Sequence, residues 1–222
     1  MKISLLHPSR GRPLKATNTY TKWIELAGCD VEHILSIDRN DPSKMDYFKL
    51  HKAYPAIDPR GSYSRLYCND NSCVVEATNH AAKESTGDIL IYLSDDFQCP
   101  DQWGPLVIKE FENENRPLLV KVDDCLQKFE VPVLTIPMMN RALYELLGYF
   151  WHPQYKSMSV DEDLYWTARK LGAIKNAQHL KFPHYHPSNV KAPNDETYIR
   201  SAANWDQGRA VFLKRKALGF PA

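Results

Sequence analysis

Nowhere in the 222 residues do apolar side chains run unbroken for the ~18 positions that a membrane-spanning helix needs. The opening stretch Met1-Lys2-Ile3-Ser4-Leu5-Leu6 meets His7-Pro8 and is too short for the apolar core of a secretory signal. An excess of either charge is also missing. The formal net charge is +1, so no overall basic field draws in nucleic acid, although Lys214-Arg215-Lys216 forms a local basic patch. Cysteine is sparse. Cys29, Cys68, Cys73, Cys99 and Cys125 are odd in number and widely scattered, which argues against a disulfide framework. No second pair joins Cys68 and Cys73 to complete a four-cysteine metal site. A reduced, cytoplasmic setting is the expectation. Internal repeats and low-complexity tracts are absent.

What remains is ordinary globular material, 43% apolar and 25% charged, long enough for one α/β domain. Residues 2–6 read as a short buried strand that runs into a loop. Pro13 then suits the first turn of a helix, whose Leu14, Ala16, Tyr20, Trp23, Ile24 and Ala27 recur at helical spacing before Gly28. Val31–Ile37 is a second strand, and strand–helix–strand order favours a parallel sheet. Residues 42–72, with Pro42, Pro55, Pro59 and Gly61, read mostly as loop with one short helix. A helix is expected over 73–85 and a central strand over Ile89–Leu93. Beyond them come a helix over 101–115, strands at Pro117–Val122 and Val131–Ile136, a helix near Met138–Leu147 and an aromatic loop over 149–158. The chain closes with a helix over Glu162–Leu171, a strand within Ala173–Pro183 and one last helix over Thr197–Leu218.

The strongest chemical signal lies where Ile89-Leu90-Ile91-Tyr92-Leu93 stops at Ser94-Asp95-Asp96. Ligands of open α/β sheets bind beyond the carboxyl ends of the strands. Two adjacent carboxylates there repel each other unless a cation offsets the charge, and hard oxygen ligands suit Mg²⁺ or Mn²⁺, which also bind phosphate. A metal–diphosphate clamp is one reading. A solvated turn or helix cap is the other.

The order of the surrounding motifs resembles glycosyltransferase family 2. Asn79 through Gly87-Asp88, the apolar strand, Asp95-Asp96, then Pro100 and Trp103 follow that family's pattern, and Pro8-Ser9-Arg10-Gly11-Arg12-Pro13 looks like its first donor loop. The resemblance covers residue 3 to about 190. It implies a GT-A, Rossmann-like fold with a mostly parallel central sheet in a single domain over residues 1–222. Residues 1–100 would form the nucleotide-sugar half and 101–222 the acceptor and catalytic half. It implies donor contacts from Pro8, Ser9, Arg10, Arg12, Asp38, Asn79 and Asp95, with Asn40 and Arg65 as further candidates. Asp96 would be the direct metal ligand, joined by His184 or His186. In Asp161-Glu162-Asp163, followed by Arg169 and Gly172, it implies that Asp163 is the catalytic base. Trp151, His152 and Tyr155 precede that base as an aromatic loop, whereas Trp103 reads as core.

The implied reaction is an inverting transfer from a nucleotide-diphosphate sugar, with UDP as the family's commonest donor nucleotide. The compact size and terse loops look similar to viral or phage-encoded members. The acceptor is then a glycan or a hydroxymethylated base in DNA, and Arg200, Arg209, Lys214, Arg215 and Lys216 of the last helix offer cations for the latter. Two other readings compete. A nucleotidyltransferase would show a glycine-rich first loop with a following lysine, where only Gly11 and Lys15 stand. A non-catalytic nucleotide- or glycan-binding relative would not need both Asp95-Asp96 and Asp163. Oligomeric state is not legible.

Overall fold

The computed structural model describes residues 1–54, 61–189 and 194–222. Its first half is a run of parallel strands and helices: β1 (Ile3–Ser9), α1 (Pro13–Glu25), β2 (Val31–Asp38), α2 (Lys44–Ala53), β3 (Tyr63–Asn69), α3 (Val74–Glu84) and β4 (Ile89–Tyr92). The second half holds α4 (Trp103–Phe111), β5 (Leu119–Asp123), β6 (Met138–Asn140), α5 (Arg141–Leu147), α6 (Val160–Lys170), β7 (Ile174–Lys181), α7 (Glu196–Ala202) and α8 (Trp205–Ala217). All seven strands of the described residues join one sheet in the order β3-β2-β1-β4-β6-β5-β7, parallel except for β6, which runs antiparallel to both neighbours. This is the mixed α/β single domain that the sequence implied. No described helix is long and apolar enough to cross a membrane.

Strands buried on both faces carry continuous apolar runs, and β1 and β2 are buried at every position. Side chains alternate between the two faces. Ile3, Leu5, Ile89 and Ile91 join Trp23, Trp103, Phe111 and Phe182 on one side. Leu6 and Leu90 join Phe150, Trp151, Tyr155, Leu164 and Phe212 on the other. Trp103 is fully buried and donates its indole N–H to the Trp23 carbonyl, which makes it a core residue as read.

Four expectations need correction. Residues 63–69, read as loop, form β3. This edge strand is only half-buried throughout, so it lacks the apolar run that marks its neighbours. Pro55 and Pro59 of the same predicted loop lie outside the described residues. Val131–Ile136 forms bends instead of a strand, because Pro132 has no N–H to give a sheet. The predicted helix from Met138 begins three residues late. Met138–Asn140 is drawn into the sheet as β6, and Asn140 then caps α5, its side chain accepting from Leu143 N. The last predicted helix is two. Asp195 caps α7, and α8 restarts at Trp205. Gly208 lets α8 lie directly on the Met158 carbonyl, which any Cβ at that position would strike.

Candidate active site

β1 and β4 pair in register from Ile3↔Ile89 to Leu6↔Tyr92, and Leu93 N still bonds to Leu6 O at 2.9 Å. The chain then leaves the sheet, so Asp95 and Asp96 stand over the strand ends beside His7 and Ser9. The segment after β7 runs antiparallel to them, with Gln98 N donating to Pro183 O and Tyr185 N to Asp96 O, each at 2.9 Å. That pairing brings His184 to Asp96. The cleft opening here has a volume of about 880 Å³. Pro8, Ser9, Arg10, Arg12, Asp38, Asp95, Asp96, His184 and His186, nine of the residues expected from sequence, all line it.

The two neighbouring acids have different surroundings. Asp95 is held on both oxygens, by His7 Nε2 at 2.9 Å and Ser9 Oγ at 3.0 Å. Asp96 Oδ2 meets His184 Nε2 at 3.2 Å and accepts from Tyr198 Oη at 2.5 Å. Burial alone would raise the Asp96 carboxyl, but the hydrogen bond and charge of His184 and the Tyr198 hydroxyl hold it far below the ordinary carboxylate range. Its other oxygen, Oδ1, is buried with no partner, and so is His184 Nδ1. An orphaned carboxylate oxygen is costly, and a divalent cation is one group that satisfies it. Among the described residues no three acidic, His or Cys side chains form a closed metal cage. Asp96 and His184 therefore fit a cation of the Mg²⁺ or Mn²⁺ type, which keeps waters and takes further oxygens from substrate phosphate. The His186 ring lies 5.0 Å from that of His184, but its Nδ1 bonds to Ser188 Oγ, at 2.8 Å.

The position of Asp163 departs from expectation. Its carboxylate turns inward, almost wholly buried, and takes Arg215 Nε at 2.6 Å, Tyr155 Oη at 2.9 Å and Thr167 Oγ1 at 3.3 Å. It does not line the cleft; Asp161 does. Two residues apart on a helix means ~200° of rotation, so only one of these acids can face the cleft. Asp163 falls in the buried stripe of Val160, Leu164, Thr167 and Ala168. That stripe is legible in the sequence and is the signal that would have chosen between them. Asp161 lies deep in the cleft wall, where loss of water first, and then the charges of Glu162 and Asp124, push its carboxyl up to about 6 against the N–H bonds it accepts. Arg169 reaches neither acid's role and covers the Trp166 ring instead.

Asn79 is also misplaced as a donor contact. Its amide accepts from Phe150 N and Trp151 N and donates to Trp151 O, which braces the aromatic loop from behind. Of that loop, Trp151 lines the cleft, while Tyr155 serves Asp163. Arg65 is spent on the buried Glu32 at 2.5 Å. The Arg10 guanidinium donates to Asp38 at 2.7 Å and to Asn40 at 2.6 Å, forming one wall. Arg12 pairs with Asp195 through two nitrogens and lies 4.4 Å over the Tyr198 ring. The sequence had no signal for this contribution of α7, whose Thr197 also donates to Arg10 O.

The family model of Glycosyl transferase family 2 matches residues 49–189, more than half of the chain. Among solved structures, S. aureus TarS 1–349 is similar with a TM-score of 0.63 at 10% identity, over 97% of this chain and 73% of that one. The mannosyltransferase PcManGT from Pyrobaculum calidifontis, in complex with GDP-Man and Mn²⁺, is similar with a TM-score of 0.63 at 10% identity, over 97% and 75%. TarS in complex with UDP gives 0.58 at 14% identity, over 97% and 71%. No curated protein sequence matches. At such identities the structures speak for the fold. The family match spans Asp95, Asp96, Asp161 and His184, and with it the chain belongs to glycosyltransferase family 2, as a glycosyltransferase of the GT-A fold.

Proposed function

We propose that the protein transfers a sugar, with inversion, from a nucleotide-diphosphate sugar to a glycan hydroxyl, with Asp161 as the base and Asp96 with His184 as the seat of a divalent cation. The observation that carries this reading is the single cleft shared by an orphaned carboxylate oxygen on Asp96 and a carboxyl raised to about 6 on Asp161. A group poised near 6 is ionised at neutral pH yet basic enough to take a hydroxyl proton. In the transfer the acceptor oxygen bonds to the anomeric carbon, its proton passes to Asp161, and the bond from that carbon to the diphosphate breaks. Mn²⁺ or Mg²⁺, when bound, offsets the charge of the leaving diphosphate. Arg10 and Arg12 stand on the same wall as cations suited to phosphate, and Asp38 and Asp95 offer acceptors for the donor's hydroxyl and base N–H groups. UDP is the proposed nucleotide. The donor half is residues 1–100, while 101–222 supply the base and the acceptor wall.

The glycan is preferred to a modified DNA base because the three arginines of the last helices are already engaged. Arg215 is buried against Asp163, Arg209 reaches Glu162 at 3.3 Å, and Arg200 donates to Ser72 O. The test is binding and turnover. UDP with Mn²⁺ is expected to raise the Tm and EDTA to abolish the rise. Labelled nucleotide sugars offered with glycans or hydroxymethylated DNA identify the acceptor. Absence of both UDP and GDP binding in Mn²⁺ would refute the reading.

Asp96→Ala removes the anionic cation ligand. Its expected effect is loss of Mn²⁺-dependent UDP stabilisation in a thermal-shift titration, with the fold retained by circular dichroism. A variant that still responds to Mn²⁺ as the wild type does would take the cation away from Asp96.

A further inference from the structure

Beneath α1 and α2, a file of buried histidines crosses three strands. Asp95 Oδ1 meets His7 Nε2 at 2.9 Å, His7 Nδ1 meets His33 Nε2 at 3.0 Å, His33 Nδ1 meets Ser64 Oγ at 2.6 Å, and Ser64 Oγ meets His51 Nε2 at 3.0 Å. His7 on β1 and His33 on β2 have no exposed surface, and the Tyr20 ring stacks on His33 at 4.6 Å. His51, on α2, is only partly buried. Sheet packing does not require imidazoles here. The equivalent neighbours on this face, Leu5 and Leu35, are aliphatic.

The chemistry of the end group sets the direction of every bond. A carboxylate only accepts, so His7 donates to Asp95 from Nε2. Burial first, and then the neighbouring rings of His7 and His51, drive the His33 imidazole well below its ordinary range, so it is neutral and carries one proton. His7, with its Nε2 proton committed to Asp95, accepts at Nδ1 from His33 Nε2. The bare Nδ1 of His33 accepts from the Ser64 hydroxyl, and the Ser64 oxygen accepts from His51 Nε2. His7, His33 and Ser64 each donate one bond and accept one, and both ring nitrogens of His7 and of His33 are used.

Taking the proposed donor site as given, the geometry assigns His7, His33, Ser64 and His51 a positioning role: a one-directional hydrogen-bond chain that ends on Asp95 and aims its carboxylate at the hydroxyls of a donor nucleotide. The chain locks His7 in the tautomer that donates to Asp95. A break at Ser64 frees His33, and then His7, to turn a bare nitrogen toward the carboxylate, which loosens Asp95 without touching the cleft.

Long-range ¹H–¹⁵N spectra of the imidazoles test this directly. Wild-type His7 and His33 are expected to carry their protons on Nε2 alone. Ser64→Ala is expected to mix the tautomers and weaken UDP binding in Mn²⁺ about tenfold by calorimetry, the low end of what loss of an outer hydrogen-bond partner costs. His51→Leu should behave like Ser64→Ala, while His51→Gln, whose amide donates to the same hydroxyl, should restore the affinity. The Tm of each variant separates positioning from folding. A proton on His7 Nδ1, or a Ser64→Ala protein with wild-type tautomers and affinity, overturns the assignment. Should wild type bind neither UDP nor GDP, the functional reading falls, and the tautomers alone still decide the chain.

Discussion

Asp161→Asn is expected to lower kcat by at least ~100-fold while leaving the Tm within a degree or two of wild type. The scale is that of a general base, and the stability is spared because the cleft-facing carboxyl gives up solvation without gaining a side-chain ion pair. The pH profile carries the sign. The acting form is the ionised one, so kcat/KM should be flat above neutrality and fall tenfold per pH unit below about 6. In Asp161→Asn that limb should vanish along with the activity. A profile unchanged by the substitution would locate the base elsewhere.

Asp163→Asn should do the converse. The carboxylate is nearly unexposed and pairs with an equally buried Arg215. Removing one partner of such a pair costs about 3–5 kcal/mol, because the guanidinium stays buried without its counter-charge. For a chain of this size that is a fall in Tm of roughly 6–20 °C. The pair ties α6 to α8, and Arg215 also donates to the Pro221 carbonyl, so the C-terminal end should loosen first. Hydrogen exchange over 205–222 would show it. A Tm near wild type with a large loss in kcat would return Asp163 to the chemistry.

The contrast between these acids marks where sequence reading stops. Strand and helix order in the first half was legible because β1, β2 and β4 are largely buried and each carries a short apolar stretch, Leu5-Leu6, Ile34-Leu35 and Ile89-Leu90-Ile91. β3 escaped because an edge strand has no such signature, and β6 because three residues captured by two neighbours carry no period of their own. Asp95 and Asp96 were legible as a pair, since strand termini are where ligands bind. Their separate surroundings were not, since these depend on His7, His184 and Tyr198, each distant in sequence. Asp163 was chosen from motif spacing when helical rotation already pointed it inward. Asn79, expected among the donor contacts, instead bonds to the backbone of Phe150 and Trp151.

Helix α7 sets a reference state. Before any donor arrives, Arg12 already grips the Asp195 carboxylate and Asp96 already receives the Tyr198 hydroxyl. On the proposed reading, a diphosphate would displace the Asp195 carboxylate from Arg12, while a cation would meet one unpartnered oxygen of Asp96 and one already held by Tyr198. The affinity observed is the difference between the incoming bonds and those surrendered, and shortening the C-terminus before α7 would change that difference without altering a single donor-facing residue of the first hundred.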